Sequence, residues 1–317
     1  MSQKLVMTSS IRLSVQKDQD RFQGFVEVLG HKLYVDYEKP KPGRPVVVLL
    51  NGLTYRTALW DTFVDTLRGD GLGILRYDPI GMGQTLFEYG PITSKIELMD
   101  QVEDLRSLLY KLGIEKPHLV GLSYGGGVAF AFAGEYPEKV GSIITMAQLV
   151  APVESHEAFI RTQVSWTRIM FPFNPSTDEQ LYNHFLKQLA YAVYPHTDPI
   201  VLEHPYKLEA TYRLAEGVKD FYAVSVVNKL PICSVHMMIA RKDKYLPNSV
   251  HDNLWSALPA NVRASRLYIR DSEHKIPESA PILSASWVKA IVNKVDGLFD
   301  GKSYEATPAT GQIIALD

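Results

Sequence analysis

The sequence predicts an α/β fold: a mostly parallel sheet flanked by helices, with a helical cap inserted between two parts of the core. Three observations predict it. The run Val46-Val47-Val48-Leu49-Leu50 lies between turn signals and has no polar face, the pattern of a strand buried on both sides in a parallel sheet. Strand-like and helix-like segments then alternate up to Met146 and again beyond residue 230. Between these blocks, residues 151–229 lose the alternation, are dense in aromatic residues and are broken at Pro172, Pro175, Pro195, Pro199 and Pro205.

The elements follow in order. Residues 1–23 are polar and aperiodic and read as an N-terminal arm. Gly24 to Leu29 and His31 to Tyr37 read as a hairpin around Gly30. After the buried run come a helix from Thr57 to Arg68 and a strand from Leu72 to Tyr77. The next helix spans Ser94 to Leu112. Ser94 and Glu97 have capping-box spacing, apolar residues step by four and three from Leu98 to Leu112, and Gly113 ends it. His118 to Leu122 is a strand, Tyr124 to Glu135 a helix and Gly141 to Met146 a strand. Beyond the cap, the second core block (230–297) holds strands over Ile232 to Ala240 and Ala264 to Arg270. Its helices cover Ser249 to Leu258 and about Pro281 to Val295. Residues 298–317 read as a frayed tail.

Composition narrows the function. Of 317 residues, 33 are basic and 35 acidic, a net charge of −2, so there is no basic excess to support a nucleic-acid or acidic-lipid partner. A hydrophobic fraction of 46% is enough for a globular core. The single cysteine, Cys233, excludes an internal disulfide and a multi-cysteine zinc site. No apolar run of signal-peptide length opens the chain, and no stretch of about 18 apolar residues suggests a membrane span. A cytoplasmic protein is expected. No histidine spacing suggests a metal, and no glycine-rich phosphate loop ends in Lys-Ser or Lys-Thr, so neither metal nor organic cofactor is expected.

The chemistry concentrates in Gly121-Leu122-Ser123-Tyr124-Gly125, a G-x-S-x-G run between a buried strand and a helix. A serine on so sharp a turn needs a strained backbone, and glycines two residues away relieve the crowding. Its hydroxyl stands at a helix N-terminus, where free N–H groups and the helix dipole favour negative charge. Together with Asn51-Gly52 after the buried strand and Asp78-Pro79-Ile80-Gly81-Met82-Gly83 after the next, this resembles the α/β-hydrolase family over roughly residues 25–150 and 230–296. The expected core is then a mostly parallel eight-stranded sheet.

The resemblance implies a chain order of serine, acid, histidine. His274 lies just past the last expected strand, whereas His236 falls inside an apolar strand and His251 inside a helix. Asp243, in the polar turn Arg241-Lys242-Asp243-Lys244, resembles the family's strand-end aspartate. Asp271 and Glu273 are rivals but lie too near His274 in sequence. The oxyanion donors implied are the backbone N–H groups of Leu53 and Tyr124. Two departures stand out: Asn51 replaces the family's usual histidine, and Glu273 precedes His274 where a glycine is common. Asp78 resembles the family's structural turn aspartate. Tyr55, after the oxyanion loop, and Trp166, on an early cap helix, are pocket candidates.

The expected activity is serine hydrolysis of a carboxylic ester of small or medium size with an apolar portion, through an acyl-enzyme. Hydrolysis of an activated carbon–carbon bond, perhydrolysis, acyl transfer or a ligand receptor on the same scaffold are the alternatives.

Overall fold

The run Val46–Leu50 is strand β3; all five residues are buried, and it pairs in parallel on both sides. Val46, Val48 and Leu50 point into one core cluster, Val47 and Leu49 into the other, the period-two division that a two-sided strand demands. The computed structural model describes residues 20–152, 154–193, 206–232 and 234–316. Cys233, residues 1–19 of the expected arm and residues 194–205 of the expected cap lie outside them.

The other strands are β1 (Arg21–Val28), β2 (His31–Glu38), β4 (Gly73–Asp78), β5 (His118–Leu122), β6 (Ser142–Met146), β7 (Val235–Ala240), β8 (Arg263–Ile269), β9 (Lys302–Thr307) and β10 (Gln312–Ala315). They form one sheet in the order β1-β2-β4-β3-β5-β6-β7-β8-β9-β10. The run from β4 to β9 is parallel; β1 and β2 on one edge and β10 on the other are antiparallel. The sheet has ten strands rather than eight, because residues 302–315 are not a frayed tail. β9 lies beside β8, burying Ser303 and Ala306, and the Tyr304 ring meets Trp287 at 5.4 Å. Tertiary pairing thus orders a polar segment whose local pattern carries no strand signal. At the other end, Arg21 to Gln23, assigned to the arm, already belong to β1, anchored by the Arg21–Asp36 ion pair at 2.8 Å.

Helices α1 (Asp61–Leu67) and α10 (Pro281–Val292) cover one face of the sheet. Helices α3 (Leu98–Leu112), α4 (Tyr124–Glu135) and α8 (Asn248–Ala257) cover the other. Short α2 (Gly83–Tyr89) and α9 (Ile276–Ser279) complete the core. Helix α3 starts at Leu98, later than Ser94. Its capping box is Glu97 with Asp100, while the Ile96 N–H is committed to the Arg213 carbonyl at 3.2 Å, which holds residue 96 out of the helix. The inserted region carries α5 (Glu154–Met170), α6 (Asp178–Val193) and α7 (Lys207–Gly217). No helix among the described residues is long and apolar enough to cross a membrane.

Candidate active site

Ser123 stands alone between the end of β5 and the start of α4, with φ 49° and ψ −113°. Its neighbours show why glycine is required. A Cβ on Gly121 would lie 2.4 Å from the Gly125 carbonyl oxygen, and one on Gly125 would lie 2.2 Å from the Leu50 carbonyl oxygen. The turn is pinned from both sides. The Ser123 N–H donates to the Met146 carbonyl at 2.9 Å, and the Ser123 carbonyl accepts from Gly126 at 2.9 Å and Leu149 at 2.8 Å. Strain held by surrounding hydrogen bonds in this way is a feature of functional turns.

Beside the serine, the loop after β3 makes a tight turn, with the Tyr55 N–H bonded to the Gly52 carbonyl at 3.0 Å. Gly52 packs so near Leu122 that a Cβ would approach its side chain and carbonyl at 3.3 Å. Leu53 and Tyr124 both border the cavity that Ser123 faces. Among the described residues, neither backbone N–H donates to another protein group. Two such donors beside a serine hydroxyl can receive a developing oxyanion.

Asn51 supports this loop from behind. Its Nδ2 donates to the Tyr77 carbonyl and to Asp78 Oδ1, each at 3.1 Å, while its Oδ1 accepts from the Trp60 indole at 2.8 Å. Asp78 is fully buried, and burial raises its carboxyl above the ordinary range despite the N–H groups of Gln84 and Thr57. Gly83, with φ +46°, approaches it so closely that a Cβ would lie 2.1 Å from Asp78 Oδ2. Asn51 and Asp78 therefore tie the β3 and β4 loops together and do not border the cavity.

On the far side, the loops after β7 and β8 are joined by the Lys242 N–H to the Ser272 carbonyl at 2.9 Å and the Arg241 N–H to the Ile269 carbonyl at 3.1 Å. That join brings His274 Nδ1 to 2.7 Å from Asp243 Oδ2. Asp243 Oδ1 accepts the backbone N–H groups of Tyr245 at 2.8 Å and Leu246 at 3.0 Å. Burial works to raise the Asp243 carboxyl, but the imidazole and the two backbone donors outweigh it and hold it below its ordinary value. The Tyr245 ring meets the His274 ring edge-on at 5.1 Å and limits its rotation. Ser123 and His274 border the same cavity. No hydrogen bond joins them among the described residues, and catalytic hydrogen bonds in ligand-free sites commonly tighten only when substrate arrives.

Of the residues singled out from sequence, Ser123, His274, Leu53, Tyr124 and Tyr55 border this one cavity, with Asp243 directly behind His274. Trp166 does not. It is 57% exposed on the outer side of α5, because the helix turns Ile160 and His156 toward the cavity instead. Its aromaticity was the only signal, and aromaticity does not report facing. The structure adds His156, Glu157, Tyr182 and Lys219 from the inserted region, and Tyr245 and Lys275 from the core. For Lys275, adjacency to His274 was an available signal; for the others, only tertiary packing selects them. His236, within β7, is fully buried with Nδ1 2.7 Å from Ser265 Oγ, the setting of a core residue. No cluster of three or more histidine, cysteine or acidic side chains among the described residues has the arrangement of a metal site.

The family model for the alpha/beta hydrolase fold matches residues 45–222. A 2-hydroxy-6-oxononadienedioate/2-hydroxy-6-oxononatrienedioate hydrolase of Paraburkholderia phymatum is 36% identical over 127 residues, 38% of this chain and 43% of that protein. A putative carbamate hydrolase, RutD, of Caulobacter segnis is 28% identical over 107 residues, 34% of this chain and 39% of that protein. The chain thus spans less than half the length of these curated relatives. Among solved structures, a thermophilic esterase from Thermogutta terrifontis superposes with a TM-score of 0.60 at 20% identity, covering 87% of this chain and 98% of that one. At that identity the likeness speaks for the fold alone.

Proposed function

The chain belongs to the alpha/beta hydrolase fold family, and from that premise we propose that it is a serine hydrolase acting on a carboxylic ester of small or medium size. Ser123 Oγ attacks the acyl carbonyl while the outer nitrogen of His274 takes its proton. Asp243 holds the ring through Nδ1 and stabilises its cationic form. The N–H groups of Leu53 and Tyr124 receive the oxyanion. Collapse of the tetrahedral intermediate breaks the bond to the alcohol, which leaves with the proton from His274. Water, deprotonated by the same imidazole, then attacks the acyl-enzyme and releases the acid.

The observation that carries the reading is the Asp243–His274 bond at 2.7 Å, on a histidine that borders the same cavity as the strained Ser123. The substrate is a small molecule: the walls are largely apolar, with Leu53, Leu149, Ile160, Leu186 and Val218 among them. A second reading, hydrolysis of a carbon–carbon bond beside a ketone, is favoured by the named activity of the Paraburkholderia relative. Both use the same nucleophile or its immediate surroundings.

Labelling by a fluorophosphonate, with a panel of para-nitrophenyl esters of increasing acyl length, tests the proposal. Ser123 is expected to be the labelled residue, and Ser123→Ala is expected to abolish turnover while the fold persists. Undiminished ester hydrolysis by folded Ser123→Ala would reject it. Turnover of a diketone without turnover of any ester would select the second reading.

A further inference from the structure

Lys275 follows His274 directly and borders the same cavity. Its ammonium group stands 5.9 Å from the centre of the Tyr55 ring, and Tyr55 lies on the loop that carries the Leu53 donor. The cation therefore flanks the reaction centre where the imidazole and the oxyanion loop approach each other. It pairs with Glu278 at 3.7 Å, a long contact to a side chain that is 42% exposed. Such a solvated pair contributes little by itself.

The cavity's other charges are held on the cap. Glu157 is paired with Arg161 and accepts from the Tyr182 hydroxyl, each at 2.5 Å, and Lys219 is paired with Glu179 at 3.2 Å. Between the two ends the lining is mostly apolar, and a cation beside apolar walls acts more strongly on a bound anion than it would in water.

We infer that Lys275 makes the site selective for substrates whose leaving half carries a carboxylate. The inference rests on the serine-hydrolase reading and deepens it. In that mechanism the leaving half takes its proton from His274, so it occupies the His274 side of the cavity, where Lys275 stands. The ammonium group donates charge-assisted hydrogen bonds to the carboxylate and takes part in no covalent step.

The test compares para-carboxyphenyl butyrate with para-carbamoylphenyl butyrate, esters of the same shape that differ by one charge. Each kcat/KM is divided by the ester's rate of hydroxide hydrolysis. The charged-over-neutral ratio is expected to be about tenfold or more in the unaltered enzyme, carried mainly by KM, and to shrink as salt is added. It is expected to fall near unity in Lys275→Met, to persist in Lys275→Arg and to invert in Lys275→Glu. It is expected to persist in Lys219→Met, which removes the cation on the cap.

A ratio near unity in the unaltered enzyme overturns the inference. So does a high ratio that survives Lys275→Met, or one lost equally in Lys219→Met. Should Lys275→Met fail to fold, the unaltered enzyme's ratio and salt response, with the Arg and Glu variants, decide the matter. Failure of the underlying reading looks different: neither ester is turned over and Ser123 takes no fluorophosphonate.

Discussion

His274 and Asp243, 31 positions apart in the chain, meet Nδ1 to Oδ2 at 2.7 Å, and the second carboxylate oxygen of Asp243 is fixed by the Tyr245 and Leu246 N–H groups. An aspartate held by two backbone donors is fixed toward the ring, and in the proposed mechanism this keeps the imidazole proton on Nδ1 and leaves the other nitrogen to act as the base. Asp243→Asn preserves the shape but allows an N–H to face the ring and favours the wrong tautomer. We expect kcat to fall roughly a thousandfold or more with an unchanged circular-dichroism spectrum. Activity within tenfold of the parent enzyme would remove Asp243 from the mechanism.

The strain at Ser123 has a thermodynamic signature. With φ 49° and ψ −113°, the residue lies where only glycine is at ease. Urea unfolding is expected to find Ser123→Gly more stable than Ser123→Ala by about 1 kcal/mol, both variants being inactive. Equal stabilities would mean that the turn stores no backbone strain.

Glycine substitutions are expected to separate by surroundings. A Cβ at Gly125 meets the Leu50 carbonyl oxygen at 2.2 Å, whereas at Gly113, which has φ +66°, it meets nothing within 4 Å. Gly125→Ala is expected to cost more than about 3 kcal/mol or to leave the protein insoluble. Gly113→Ala is expected to cost about 1 kcal/mol. Comparable midpoints in thermal unfolding would contradict the close approach of β3 to the Ser123 turn.

Acid is expected to weaken the fold well before the carboxylates titrate in bulk. Burial lowers His118 to about 4, His251 to about 4 and His236 to about 3, from an ordinary 6.5. With folded values below the unfolded one, the unfolded chain binds protons first. Their contribution is therefore complete above about pH 6.5 and is lost progressively toward pH 4. The lowered Asp243 carboxyl acts in the same direction at lower pH. Urea midpoints measured from pH 7 to 4 are expected to fall steadily, and His251→Leu is expected to make that fall shallower. A flat profile would show that these rings do not titrate differently in the two states.

Removal of the residues after Asp300 is expected to destabilise the core. Truncation strips β9 from β8 and uncovers the Trp287 face that Tyr304 packs against. An exposed strand edge also invites association. A lower thermal midpoint with aggregation is the anticipated outcome in scattering-monitored melting. An unchanged melt would show that the final hairpin adds nothing to stability.

Much of this protein was legible in its sequence because local rules suffice there. An apolar run without a polar face must be a central strand, and a serine between paired glycines at a strand–helix junction must be a tight turn. The order serine, aspartate, histidine then pointed to Ser123, Asp243 and His274. Other features depend on what packs against them. Lys302–Thr307 is polar and becomes a strand only because β8 offers an open edge. Ser94 has the spacing of a cap, yet α3 begins later because Ile96 is bonded to α7. Trp166 and Ile160 lie on one helix, but only the surface opposite decides which enters the cavity. Backbone sterics and hydrophobic periodicity are properties of neighbouring residues and can be read along the chain. The facing of a side chain, the edge a strand finds and the seat of the Lys275 ammonium group beside the Tyr55 ring are set by residues far away in sequence, so only the folded structure decided them.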